Sequence, residues 1–69
     1  MKRGYLFYHA RLLDPYWKPG PGQRYADAPA ALCRVTAVRR GRVYYGIGAD
    51  ATRALGHFPL TDAHNHTIV

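Results

Sequence analysis

The 69-residue chain has no serine, no glutamate, and one each of cysteine, methionine and tryptophan. Each shortage removes an option. Without serine there is no Ser-His-Asp nucleophile. With no glutamate and four aspartates, all in expected loops, paired-carboxylate acid–base chemistry lacks parts. The lone Cys33 excludes an internal disulfide framework and any multi-cysteine zinc site, and it fits a reducing compartment. Glutamate is also a good helix former, and no 3.6-residue period runs through ten or more residues. Long apolar runs are missing too. The stretch "MKRGYLFYHARLL" is cut by His9 and Arg11, too short and too polar for a signal peptide or a membrane span. These absences predict a cytoplasmic protein with no membrane association.

What is present points to one small β domain spanning residues 1–69. A chain this short buries only about 60% of its unfolded surface, so its stability is marginal and a homodimer or a bound partner is a natural supplement. Ten basic residues against four acidic ones give a net charge of +6, the balance of a protein that meets nucleic acid, another polyanion or an acidic protein surface. Eight of the ten are arginine. A GC-rich coding sequence would produce the same bias, so the charge also admits plain solvation.

Seven glycines and five prolines punctuate the chain, with short runs of Tyr, Val, Ile, Phe and Leu between them. A first strand is expected within Gly4 to Leu13. Pro15, Pro19, Pro21, Gly20 and Gly22 then forbid regular pairing up to a short strand near Gln23 to Tyr25. "APAALC" is read as one helical turn capped by Asp27. Asp50 to Leu55 reads as a helical turn stopped by Gly56, or Leu55 to Phe58 as a strand. "PLTDAHN" reads as a turn, and "HTIV" as a last strand closing the sheet.

The run "CRVTAVRRGRVYYG", Cys33 to Gly46, is a hairpin. With Arg39, Arg40 and Gly41 as a three-residue loop, one face reads Cys33, Val35, Ala37, Val43, Tyr45 and Ile47. The other reads Arg34, Thr36, Val38, Arg42, Tyr44 and Gly46. A two-residue loop at Arg40-Gly41 would set Arg34 opposite Ile47 and mix the faces, because a one-residue slip turns every side chain over. The three-residue loop is therefore expected, with the Cys33/Val35/Ile47 face as core.

About five short strands, a long loop after the first and a tight central hairpin predict an all-β fold, a small SH3-like barrel or a curved antiparallel sheet, with one or two helical turns. The middle of the chain resembles small uncharacterised phage and prophage domains. Those open on Pro-Gly-x-x-Tyr-x-Asp, continue into a Val-x-x-Val strand and return through Gly-x-Val-x-Tyr. The matching residues are Pro21, Gly22, Tyr25, Asp27, Val35, Val38, Gly41, Val43 and Tyr45. The resemblance implies a phage or mobile-element accessory or regulatory protein and carries over no catalytic residue.

The candidate binding residues are Arg34, Arg39, Arg40, Arg42 and Tyr44 on the hairpin, with Trp17 in the "PYWKPG" loop. Arginines pair with phosphates and an exposed tyrosine stacks on a base, so this face suits RNA or single-stranded DNA. An ordinary wet sheet face has similar residues. Trp17 reads equally as an interface anchor or as a lid on the barrel end. The same surface would suit an inhibitor or adaptor that blocks a host nucleic-acid-binding or defence complex, in the anti-CRISPR manner. A third reading is a metal-independent ribonuclease using a histidine as acid or base. His57, His64 and His66 lack a conventional zinc spacing and read as a surface cluster. No catalytic residue, cofactor or metal is expected.

Overall fold

The computed structural model describes residues 1–69. Its strands are β1 (Leu6–Leu13), β2 (Ala30–Arg39), β3 (Arg42–Ile47), β4 (Gly56–Pro59) and β5 (Thr67–Ile68). They form one antiparallel sheet in the order β4-β3-β2-β1-β5. Two 3₁₀ turns, Tyr25–Asp27 and Leu60–Asn65, complete the regular structure. The second turn carries the chain from the β4 edge to the β1 edge, where β5 pairs with Phe7 and Tyr8. β4 and β5 do not pair, so the sheet is unclosed and the expected all-β fold takes its curved-sheet form. No helix is long and apolar enough to cross a membrane.

One face of the sheet is the core. Phe7, Ala31, Cys33, Val35, Val43 and Phe58 are buried, drawn from alternate positions of the four longer strands as period-2 side-chain geometry requires. Phe7 sits at its centre, edge-on to Phe58 at 5.7 Å and to Tyr45 at 5.8 Å between ring centroids. Such pairs contribute about 0.5–1.5 kcal/mol each beyond the area they bury. Six buried apolar residues make a small core, so each one carries a large share of a stability that is marginal at this length.

The central hairpin differs from the expected one at its tip. Arg40 and Gly41 form a two-residue loop, both with positive φ (52° and 72°), and Arg39 faces Arg42. This is the handed turn that matches the twist of paired strands. A bulge at Thr36 then restores the expected pairing lower down, Val35 with Tyr45 and Cys33 with Ile47. The bulge absorbs the one-residue slip that otherwise argues against a two-residue loop. Above it Val38 pairs with Val43 on the core side and Ala37 with Tyr44 on the outer side, reversing their expected places.

Two more local expectations are corrected, and one left open between two alternatives is decided. Ala30–Cys33 belongs to a strand, and the turn lies earlier, at Tyr25–Asp27, where Asp27 accepts from the Arg24 amide at 2.9 Å. That turn also replaces the strand expected near Gln23 to Tyr25. Asp50 to Leu55 forms no helix, and Gly56–Pro59 is the strand.

Candidate nucleic-acid interface

The outer face of the hairpin gathers cations around one aromatic ring. The Arg39 guanidinium lies 5.5 Å from the Tyr44 ring centroid. Across the β3–β4 ladder Tyr44 pairs with His57, and their rings are 5.2 Å apart. Arg42 Nε donates to His57 Nδ1 at 2.7 Å, which fixes the neutral imidazole's proton on Nε2. Arg40 is exposed at the tip. Arg39, Arg40, Arg42 and Tyr44 thus come together as expected, and His57 joins them. That membership depends on the β4 register, which composition does not reveal.

No carboxylate neutralises this group. Of the eight arginines only Arg11 has an acidic partner, Asp62. A cation without an internal partner keeps its full charge for an incoming anion.

Arg34 is placed differently from the tip residues. It is half-buried beside Gly46, and its Nη1 donates to the Ala51 carbonyl at 3.0 Å. The loop from Gly48 to Leu55 crosses the outer face here. A Cβ on Gly46 would lie 2.4 Å from the Arg53 carbonyl oxygen and 2.7 Å from the Ala51 Cβ, so glycine is what lets the loop pass. Trp17 joins neither the hairpin cluster nor the core. It is half-buried in its own loop, and the residues packed on the core are Met1, Leu12, Tyr45, Ile47 and Ala63. Its neighbour Tyr16 is 75% exposed.

The histidines divide between the faces, and no three His, Cys, Asp or Glu side chains converge as metal ligands. His64 and His57 are exposed, but His66 is buried, against its expected place in a surface cluster. The 3₁₀ crossover lays the His66 ring on Phe58 at 4.1 Å and beside His9 at 4.7 Å. Its Nδ1 accepts from the Ala10 amide at 2.9 Å, and its Nε2 lies 3.2 Å from the Asp62 carboxylate. Asp62 also accepts from Arg11 and from Asn65, which hold its carboxyl below the usual range.

His9 has a comparable task. β1 departs from its register between Tyr8 and Leu13, and within that bulge His9 Nδ1 accepts from the amides of Arg11 and Leu12, each at 3.1 Å. Burial first, then the charges of His66 and Arg11, lower its pKa, with Asp62 opposing. Both rings are structural acceptors, committed to backbone amides that would otherwise be unpaired. Cys33 is likewise inert. It is buried, its thiol is pushed up to about 11 by desolvation, and it donates to the Ala31 carbonyl at 3.6 Å.

No protein-family model, curated protein or solved structure matches the chain, so the resemblance to phage domains finds no support in a relative.

Proposed function

We propose that this chain is a non-enzymatic binding protein that holds RNA or single-stranded DNA across the outer face of its hairpin. Arg39, Arg40 and Arg42 supply phosphate contacts, and Tyr44 with His57 supplies a stacking surface. The observation that carries the reading is the conformation of Arg40. A type I′ turn favours asparagine followed by glycine, yet an arginine occupies the first position with φ 52°. A left-handed non-glycine residue costs roughly 1–2 kcal/mol. Residues held in such conformations cluster where the side chain is used. Here the turn projects a third guanidinium from the tip of an acid-free cationic face.

The test is anisotropy titration of labelled 12-nucleotide RNA and single-stranded DNA at several salt concentrations. The wild type is expected to bind with log affinity falling linearly in log salt. Replacing Arg39, Arg40 and Arg42 together by alanine should lower the magnitude of that slope by about 2, at ~0.7 for each single-strand phosphate left unneutralised. Unchanged binding by the triple variant overturns the assignment of this face. Absence of binding by the wild type, with a host protein held stoichiometrically after nuclease treatment, would move the reading to the inhibitor class.

A further inference from the structure

A second basic feature lies apart from the hairpin tip. Where the loop from Gly48 to Leu55 crosses the outer face, a cleft of about 60 Å³ opens, lined by Arg3, Arg34, Val35, Thr36, Ala51 and Thr52. That is room for a few waters or for one tetrahedral oxyanion. The lining has two guanidinium groups and two hydroxyls and no carboxylate. The nearest acid in sequence, Asp50, adjoins Ala51 but is not part of the wall.

The cleft is built rather than incidental. The Thr36 bulge puts an extra residue of β2 on its wall, and bulges commonly re-aim a side chain in this way. Arg34 is held by its bond to the Ala51 carbonyl, which uses one of its five donors and leaves the others open to an anion. A guanidinium fixed in advance loses little side-chain freedom on binding. Gly46 is the condition for all of this, since any side chain there would push the loop off the face.

We infer that this cleft is a phosphate-group subsite, in which Arg3 and Arg34 carry the charge and Thr36 and Thr52 donate hydroxyl hydrogen bonds. Resting on the nucleic-acid reading, the group is a phosphodiester of the same strand that reaches the hairpin tip. Arg34 and Arg39 are five residues apart on β2. At ~3.3 Å per residue that is roughly 16 Å, so the strand runs along β2 past Tyr44 rather than wrapping the tip alone.

The experiment has two arms. In the first, inorganic phosphate is titrated into ¹⁵N-labelled protein against chloride at matched ionic strength. Saturable shifts are expected at the Thr36, Ala51 and Thr52 amides, and they should be abolished in Arg3→Ala and reduced in Thr52→Val. Arg3 is exposed and makes no hydrogen bond that the fold needs, so its removal should leave the fold intact. Shifts no larger than chloride produces would overturn the subsite.

In the second arm, the 12-nucleotide probe should bind Arg3→Ala roughly fivefold more weakly, as for removal of one exposed ion pair. The hairpin triple variant should still show the phosphate response at the cleft. Saturable phosphate binding without oligonucleotide binding would sustain the subsite as a place for a free phosphorylated ligand and sink the nucleic-acid reading. Oligonucleotide binding with a silent cleft and an unaffected Arg3→Ala would do the reverse.

Discussion

The two faces of this sheet use their polar side chains in opposite ways. On the inner side His9 and His66 commit their ring nitrogens to the backbone and to Asp62, next to Phe7 and Phe58. On the outer side Arg39, Arg40 and Arg42 have no acidic partner, and one of them occupies a strained turn. The contrast shows where each kind of polarity is tolerated. An imidazole whose nitrogen accepts from backbone amides can sit in a small core, because that polar atom is paired there. A guanidinium cannot, so it stays on the wet side, where its free energy remains available for a ligand.

Mutations that strike one face and spare the other should separate the two roles. The largest effect is expected from Phe7→Ala, which removes the centre of the core. A loss of about 3–5 kcal/mol is ordinary for such a truncation. That rivals the total stability of a domain this size, so circular dichroism should show a chain largely unfolded at room temperature. A cooperative melt close to that of the wild type would show the core to be misassigned.

Next is Gly46→Ala on the outer side, where the new methyl meets the Arg53 carbonyl and the Ala51 side chain. Overpacking of this sort costs about 1–3 kcal/mol, and urea denaturation should register it. Amide shifts should centre on residues 48–55 rather than on the core. A change spread over β1 would contradict the loop crossing.

His9→Ala comes third. It strips the acceptor from the Arg11 and Leu12 amides, at a cost of about 1–3 kcal/mol if they stay buried. The pH dependence discriminates further. Because the folded state lowers the His9 pKa from its ordinary 6.5, it prefers the neutral ring. That contribution is complete above pH 6.5 and is lost as pH falls through 6.5 toward the folded value. Asp62 acts in the same direction at lower pH, its stabilisation fading below its ordinary 3.8. Wild-type stability should thus decline in two stages on acidification, and His9→Ala should remove the first. Two identical pH profiles would deny the ring its structural task.

The smallest effect is expected from Arg40→Asn, and it should have the opposite sign. Asparagine suits the left-handed position, so the fold should gain about 1 kcal/mol while oligonucleotide affinity falls. A variant both less stable and equally tight in binding would show that Arg40 is there for the turn.

Much of this fold is legible in the sequence. Alternation in "CRVTAV" and "RVYYGI" marks two strands and, below Thr36, their core faces, with Cys33 opposite Ile47 and Val35 opposite Tyr45. What alternation cannot show is a compensated slip. The turn at Arg40 and Gly41 and the bulge at Thr36 each shift the register, and together they restore it, so the base of the hairpin looks the same either way. His66 escapes for another reason. "HNH" reads as a polar surface tract until the crossover is known to lie on Phe58, a contact between segments that only the crossover brings together. The tip arginines and Tyr44 are readable because one strand face contains them. The cleft is not, since Arg3, Arg34 and Thr52 come from three separate segments.

Because the sheet stays open, its margins have to protect themselves. The outermost strands offer a passing chain very little ladder to copy, four residues in β4 and two in β5. Pro59 at the end of β4 has no amide hydrogen to give, and repulsion between molecules of charge +6 discourages close approach. Brevity at the rim thus does for this domain what closure does for a barrel, guarding a concentrated solution against self-templated fibres.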